Sequence, residues 1–183
     1  MVEAPRKTKT YINARNTQNL TMDEEIQEFL EDAVSELKRV DHLVFVSLKY
    51  TRTVDVLLNI INRMIDGYEE MWGALLQRLH NNNVIEEIPE APVPRAKLLE
   101  EHYMKHPEIL ENLQLYILLR KLHRSNPERE QEYRRHVAMR TVIDGREEVV
   151  NIDIISQYAS VQKQFLGWLY DYFKPKEESK NNS

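Results

Sequence analysis

The sequence predicts a mainly α-helical protein, a multi-helix bundle around one long central helix with a β-hairpin inserted before the C-terminal helix. Two observations support this fold class. Apolar residues recur every three or four positions over most of the chain, which is the spacing of one face of an α-helix. Residues 136–152 depart from this spacing, because Val, Ile and Thr flank an Asp-Gly pair that is typical of a tight β-turn.

The first helix is predicted to begin at Thr21. Residues 1–20 show no apolar periodicity and contain four basic residues, so we interpret them as a flexible basic arm. Thr21 and Glu24 have the spacing of a capping box, in which each side chain bonds the backbone amide of the other residue. The apolar positions from Ile26 to Val40 then share one helical face, and acidic residues fill the opposite face.

A long central helix is predicted for residues 43–80. No proline interrupts this stretch, and its apolar residues follow alternating steps of four and three from Tyr50 to Leu75. At about 1.5 Å per residue, such a helix would be about 57 Å long. A polar stripe that includes Glu69 lies on the other face and is expected to meet water.

Shorter helices are predicted after this central helix. Residues 81–94 contain three asparagines and three prolines and are interpreted as a linker. Helices follow over residues 95–105 and 108–124, with Pro107 at the start of the second. The same combination of polar cap and proline predicts a further short helix over residues 127–135.

The C-terminal part of the chain is predicted to contain a hairpin, a helix and a tail. Asp144 and Gly145 supply the turn of the hairpin in residues 136–152, and no third strand is evident beside it. Asp153 is the predicted cap of the last helix. Residues 175–183 are interpreted as a disordered tail, so the helical domain is expected to span residues 21–174.

The composition excludes several classes of site. There is no cysteine, which excludes disulfides and cysteine-ligated zinc or iron–sulfur centres. The four glycines are too scattered to form a clustered phosphate-binding loop. The 25 basic and 30 acidic residues give a net charge of −5, which argues against general binding to nucleic acids or membranes. We therefore expect a soluble cytoplasmic protein with no cofactor and no membrane partner.

His102 and His106 form the best candidate metal site. Their i, i+4 spacing would let two imidazoles on one face of a helix contact the same ion. The sequence around them offers no evident third ligand. We therefore expect no functional metal and interpret the pair as two partly exposed histidines near a helix end.

Two arginine–histidine pairs are candidates for RNA chemistry. They are Arg129 with His136 and Arg95 with His102, and the members of each pair are seven residues apart. Each pair resembles the arginine-and-histidine element of the HEPN family of helical RNases and nucleotide-binding modules. The resemblance covers two residues and assigns no family to the chain. It implies that such a pair would cleave or clamp RNA.

The most basic stretch of the chain lies between residues 120 and 140 and contains seven basic and three acidic residues. Such a stretch is suited to contact phosphates, and a two-stranded ribbon fits a DNA major groove. The candidate nucleic-acid-binding residues are Arg124, Arg134, Arg135 and Arg140. The alternative interpretation is a solvated face that carries ion pairs between neighbouring side chains.

The leading functional hypothesis is a non-enzymatic intracellular interaction module that self-associates or docks a partner helix. Residues 43–48 are apolar around the whole circumference of the predicted helix, so something must cover them, and symmetric dimers are the commonest oligomers. The predicted interface residues are Leu43, Phe45, Val46, Tyr50 and Leu57. A nucleic-acid-binding or HEPN-like RNA-processing protein is the alternative hypothesis, and only in that case would Arg129 and His136 be catalytic.

Overall fold

Helices and a small antiparallel sheet build the structure, a computed structural model that describes residues 23–174. In chain order the elements are α1 (Glu24–His42), a π-helical turn (Leu43–Ser47), α2 (Leu48–Tyr50), α3 (Val54–Asn81), α4 (Pro92–His102), α5 (Pro107–Arg124), β1 (Glu128–Glu130), β2 (Ala138–Ile143), β3 (Arg146–Asn151) and α6 (Ile152–Phe173). The predicted fold class is confirmed. None of the helices in this part of the chain has the length and apolarity needed to cross a membrane.

Helix α3 is the centre of the bundle, and α1, α5 and α6 pack around it. Gln77 contacts Glu25 near one end of α3, so α1 runs antiparallel to it. The apolar positions of both helices form a single core, in which each fully buried aliphatic side chain contributes about 1.5–3 kcal/mol relative to exposure. The core members from α3 include Leu57, Ile61, Met64, Tyr68, Trp72 and Leu75.

The predicted uninterrupted helix over residues 43–80 is wrong, because the chain leaves helical geometry at residues 51–53. Thr53 has extended backbone geometry, and its hydroxyl accepts a hydrogen bond from the Val56 N–H at 3.4 Å. A threonine that caps a helix in this way satisfies an amide that has no partner within the helix. The apolar residues that recur at steps of four and three up to Leu75, called the seam below, therefore belong to α3 only from Val54 onward.

Helix α1 begins after Asp23, whose carboxylate accepts a hydrogen bond from the Glu25 N–H at 3.3 Å. The capping box predicted at Thr21 involves a residue outside the described range, as do the basic arm of residues 1–20 and the tail of residues 175–183. The connection between α3 and α4 is shorter than the linker predicted for residues 81–94. Helix α4 already begins at Pro92, because proline fits the first turn of a helix.

The sheet has three strands, although the sequence predicts only two. Strands β2 and β3 form the expected hairpin, with Met139 opposite Val150, and Asp144 and Gly145 take the positive φ angles of 51° and 77° that the turn needs. Strand β1 pairs antiparallel with the other edge of β2 and places Glu130 opposite Ala138. The predicted helix over residues 127–135 is therefore wrong, because pairing with β2 outweighs the local helix preference.

The last helix is capped by Asn151 rather than by the predicted Asp153. The Asn151 side-chain oxygen accepts a hydrogen bond from the Ile154 N–H at 2.9 Å. Strand β3 ends at this same residue, so the chain passes from sheet to helix without a connecting loop. This direct passage brings the start of α6 beside the first residue of β2, which pairs with Asn151.

Candidate functional site

A groove of about 460 Å³ lies at the end of the bundle where α1 leads into α3. One wall is the segment from Val44 to Arg52, and the other wall is formed by Arg135, His136 and Ala138. The start of α6 completes the lining through Asn151, Ile152 and Asp153. The groove thus combines buried apolar side chains, such as Leu48, with four basic side chains and one carboxylate.

The π-helical turn shapes the first wall. The Leu48 N–H donates to the carbonyl oxygen of Leu43, five residues earlier, which is the hydrogen bond that defines a π-helix. Leu48 points into the core and is buried, whereas Phe45 is 70% exposed at the edge of the groove. Turns of this type occur frequently at functional sites because they displace side chains from regular helical positions.

The second wall is the loop between β1 and β2, which is fastened to the start of α3. The Tyr133 N–H donates to the Arg52 carbonyl oxygen at 2.6 Å, and the Glu132 carboxylate accepts from the Val54 N–H at 3.1 Å. Gln131 and Tyr133 have φ angles of 49° and 63°, a conformation that costs a non-glycine residue about 1–3 kcal/mol. Because the Tyr133 ring is 78% exposed, its own burial does not offset this cost.

Two arginines near the groove are neutralised by carboxylates. Arg129 forms a two-point ion pair with Asp55 at 2.7 and 3.0 Å and also contacts Glu132. The hydrogen bond from Arg129 and the charge of its guanidinium lower the pKa of the Asp55 carboxyl below its usual value. Arg140 is bound in the same way by Glu130 and Glu147, each at 2.7 Å.

Three exposed cations beside the groove have no such partner, whereas the partly buried Arg52 donates a hydrogen bond from Nε to the Leu48 carbonyl oxygen at 3.3 Å. In the described part of the chain, no carboxylate forms an ion pair with Lys49, Arg134 or Arg135. All three side chains belong to exposed residues. The Lys49 ammonium lies 5.6 Å from the centre of the Tyr50 ring, which is itself 76% exposed. Positive charge and exposed aromatic rings are therefore next to each other on this surface.

The residues predicted to bind nucleic acid fall into two groups. Arg135 lines the groove and Arg134 precedes it on the same loop, whereas Arg140 is neutralised and Arg124 ends α5 outside the groove lining. Lys49 and Arg52 also line the groove, although sequence analysis did not select them. They follow the apolar run 43–48, and the predicted continuous helix gave no reason to place them opposite Arg135.

The two arginine–histidine pairs are not joined in the structure. Arg129 is held by Asp55 and Glu132, and of this pair only His136 lines the groove. Arg95 forms an ion pair with Glu69 at 2.9 Å, while His102 ends α4 as an exposed residue. Within residues 23–174, no hydrogen bond connects the arginine and histidine of either pair.

The predicted interface residues differ in exposure. Phe45, Val46 and Tyr50 are exposed, and Leu43 is partly buried. Leu57 is completely buried in the core of the chain itself, so the structure contradicts its assignment to an interface. The seam from Val54 to Leu75 packs against α1, α5 and α6 and leaves no continuous apolar face for a partner helix.

The two histidines proposed as metal ligands do not share one helix. His102 is the last residue of α4, and His106 precedes the first residue of α5. The His106 ring packs edge-on against Trp168 and Tyr172, with ring centres 6.0 and 5.4 Å apart. Among the residues that the structure describes, no group of three or more His, Asp or Glu side chains is placed to hold a metal ion.

The sequence does not predict the polar network around Glu69. Glu69 was expected to meet water, but its two carboxylate oxygens accept hydrogen bonds from Arg95 and Arg120, both at 2.9 Å, and from the Tyr116 hydroxyl. Burial and the neighbouring Glu69 carboxylate raise the pKa of Tyr116 above its usual value. The network ties α3 to α4 and α5, and none of its members lines the groove.

Comparison with known proteins adds no assignment to these observations. A scan against models of protein families gives no match, and searches of curated proteins and of solved structures find no significant relative. The geometry of the groove and the chemistry of the residues around it are therefore the observations that indicate a function.

Proposed function

We propose that the protein is a non-enzymatic interaction module and that the groove is its binding surface for an anionic ligand. The observation that carries the proposal is the set of three unpaired cations, Lys49, Arg134 and Arg135, beside the exposed rings of Phe45 and Tyr50. A cation without a carboxylate neighbour is available to a ligand, because no internal ion pair has to be broken first. The adjacent rings offer apolar contact area.

Charge reversal on the loop tests this proposal. We expect the double variant Arg134→Glu, Arg135→Glu to elute from immobilised heparin, a polyanion, at clearly lower salt than the unmodified protein. The matched control is Lys97→Glu, Lys105→Glu, which makes the same change in net charge at two exposed positions outside the groove. If both double variants shift elution equally, retention depends on net charge alone and the proposed binding surface is wrong.

Self-association through the same end of the bundle is a second candidate function. Phe45 and Val46 are 70% and 40% exposed, next to the partly buried Leu43 and Val44. Exposed apolar residues that adjoin one another are typical of surfaces that another protein covers. A second copy of the chain is the occupant that sequence analysis predicts, because closed dimers are the commonest assemblies.

The oligomeric state tests this second candidate. A dimer that covers Phe45 would make its ring unavailable to a ligand in the groove, so the two candidate functions exclude each other at this residue. If the second candidate holds, sedimentation equilibrium will show a dimer for the unmodified protein and for Met104→Asp, which changes an exposed residue elsewhere. Phe45→Asp should be monomeric and should keep its circular dichroism spectrum, since Phe45 is exposed in the single chain. A monomer at every concentration of the unmodified protein would exclude self-association and leave the groove proposal intact.

A further inference from the structure

We infer that the anionic ligand is a single-stranded nucleic acid that crosses the π-helical turn; this inference rests on the proposed function. The first observation is a second depression, of about 660 Å³, on the other side of the turn. Leu43 lines this depression, whereas Val44 and Phe45 line the groove. Both concave surfaces are therefore lined by residues of the π turn.

Positive charge is present on both sides of the turn. The second depression is lined by Lys38, Arg39, His42 and Arg63. Arg39 and Arg63 form ion pairs with Glu36, but no carboxylate in the described residues pairs with Lys38. Together with Lys49, Arg134 and Arg135, this lysine extends the unpaired charge over both depressions. A track of separated cations matches a chain of phosphates better than it matches one small anion.

The aromatic residues distinguish a nucleic acid from an acidic peptide. Phe45, Tyr50 and Tyr133 are 70%, 76% and 78% exposed, and all belong to segments that carry the unpaired cations. The face of an aromatic ring carries partial negative charge, so it repels carboxylates. A nucleobase, in contrast, stacks on such a ring whatever its identity. Exposed rings among cations therefore favour bases and phosphates over Asp and Glu side chains.

The same rings favour a single strand over a duplex. Bases within a duplex already stack on one another and are not free to stack on a protein ring, whereas those of a single strand are. The net charge of −5 also disfavours the broad phosphate contact on which duplex binding depends. The first half of α1 carries Glu24, Glu25, Glu28, Glu31 and Asp32, so charge repulsion would restrict a bound strand to the basic end of the bundle.

Fluorescence anisotropy tests the inference with three labelled probes of about 15 units: a single-stranded oligonucleotide, the corresponding duplex and a poly-glutamate peptide. We expect the single strand to bind the full-length protein at least about tenfold more tightly than either competitor at about 50 mM salt. Phe45→Ala, Tyr50→Ala should weaken the single strand about tenfold or more without changing the dependence on salt, because no charge is removed.

Charge reversal gives the complementary result. Arg134→Glu, Arg135→Glu should reduce the slope of log affinity against log salt by about 0.7 for each lost phosphate contact, whereas Lys97→Glu, Lys105→Glu should leave it unchanged. Preference for the peptide or the duplex, no binding of the single strand, or no effect of removing the rings would each overturn the inference. The heparin experiment decides the proposed function separately, so the two failures are distinguishable.

Discussion

At the scale of single residues, two glycines in helices have opposite surroundings. A Cβ atom added at Gly73 of α3 would lie 2.5 Å from Cε1 and 2.7 Å from Cδ1 of the Phe29 ring of α1. These distances are far inside van der Waals contact. A Cβ atom at Gly167 of α6 would meet nothing within 4 Å. Gly73 therefore leaves the space that the Phe29 ring occupies against α3, and Gly167 is not needed for packing.

Alanine substitutions should separate these two glycines. We expect Gly73→Ala to lower the free energy of unfolding by about 1 kcal/mol or more, because overpacking costs about 1–3 kcal/mol and exceeds the gain in helix propensity. Gly167→Ala should raise that free energy by about 0.5–1 kcal/mol. Urea unfolding measures both changes, and stabilisation by both substitutions would contradict the tight α1–α3 contact.

At the scale of elements, the decisive contact joins the β1–β2 loop to the start of α3. Arg129 binds Asp55 and Glu132, and Glu132 accepts from the backbone amide of Val54. Asp55 lies in the first turn of α3, where a carboxylate is also favoured by the helix dipole. These contacts hold the loop that carries Arg134 and Arg135, so they set one wall of the groove.

The Asp55–Arg129 ion pair should make part of the stability depend on pH. Because the pKa of Asp55 is lowered in the folded state, the pair stabilises fully above the unfolded value of about 3.9 and is lost as the pH falls through the folded value. We expect the unmodified protein to lose more stability between about pH 5 and pH 2 than Asp55→Asn does.

Urea midpoints measured across that pH range provide the check. Asp32→Asn, at an exposed carboxyl outside the loop contact, serves as the control and should follow the unmodified protein. Identical pH profiles for the unmodified protein and Asp55→Asn would show that the pair does not contribute to folding. A small difference is expected, since both partners are largely exposed and water screens their attraction.

The predictable elements are those determined by contacts close in sequence. The apolar spacing of α1, α3, α5 and α6 and the Asp-Gly turn of the hairpin are visible in the chain itself. The break before α3 depends on a partner far along the chain, since Glu132 and Val54 are 78 residues apart. Strand β1 depends on pairing with β2, from Glu130 opposite Ala138 to Glu128 opposite Arg140. No periodic pattern encodes such a pairing.

The sequence predicts individual residues of the candidate site but not that they lie together. The sequence predicts Phe45 and Tyr50 in a protein interface, and Arg134 and Arg135 in a separate nucleic-acid site. The structure places Phe45 and Arg135 in the lining of one groove. The polar stripe of α3 shows the same limit, because Glu69 was expected to meet water and instead binds two arginines from neighbouring helices.

At the scale of the whole molecule, one apolar core connects helices and sheet. Buried residues of α1, α3, α4, α5 and α6 belong to the same cluster as Met139 of β2 and Val150 of β3. Trp72 belongs to this cluster and is 1% exposed, and Trp168 of α6 is a partly buried residue that packs against the cluster. A continuous core predicts that the described part of the chain unfolds as one unit.

Two probes of unfolding test this unity. We expect urea transitions followed by tryptophan fluorescence and by far-ultraviolet circular dichroism to coincide, because both tryptophans and most helices share the core. The free energy of unfolding should fall with urea concentration at the slope of one cooperative transition, and not at the smaller slopes of two separate transitions. Separate midpoints would show that the sheet or a helix unfolds independently of the bundle.

The π-helical turn makes the groove sensitive to the number of residues as well as to their chemistry. A π turn contains one residue more than an α turn, so deleting Val46 would allow regular α geometry from α1 to α2. Each residue of an α-helix advances the chain by about 100° of rotation. The deletion would leave Leu48 four residues after Leu43, at nearly the same rotation about the helix as in the π turn, so Leu48 would stay in the core. The change would instead fall on the side chains between them, among them Phe45 at the edge of the groove, although every charged and aromatic side chain discussed above would still be present.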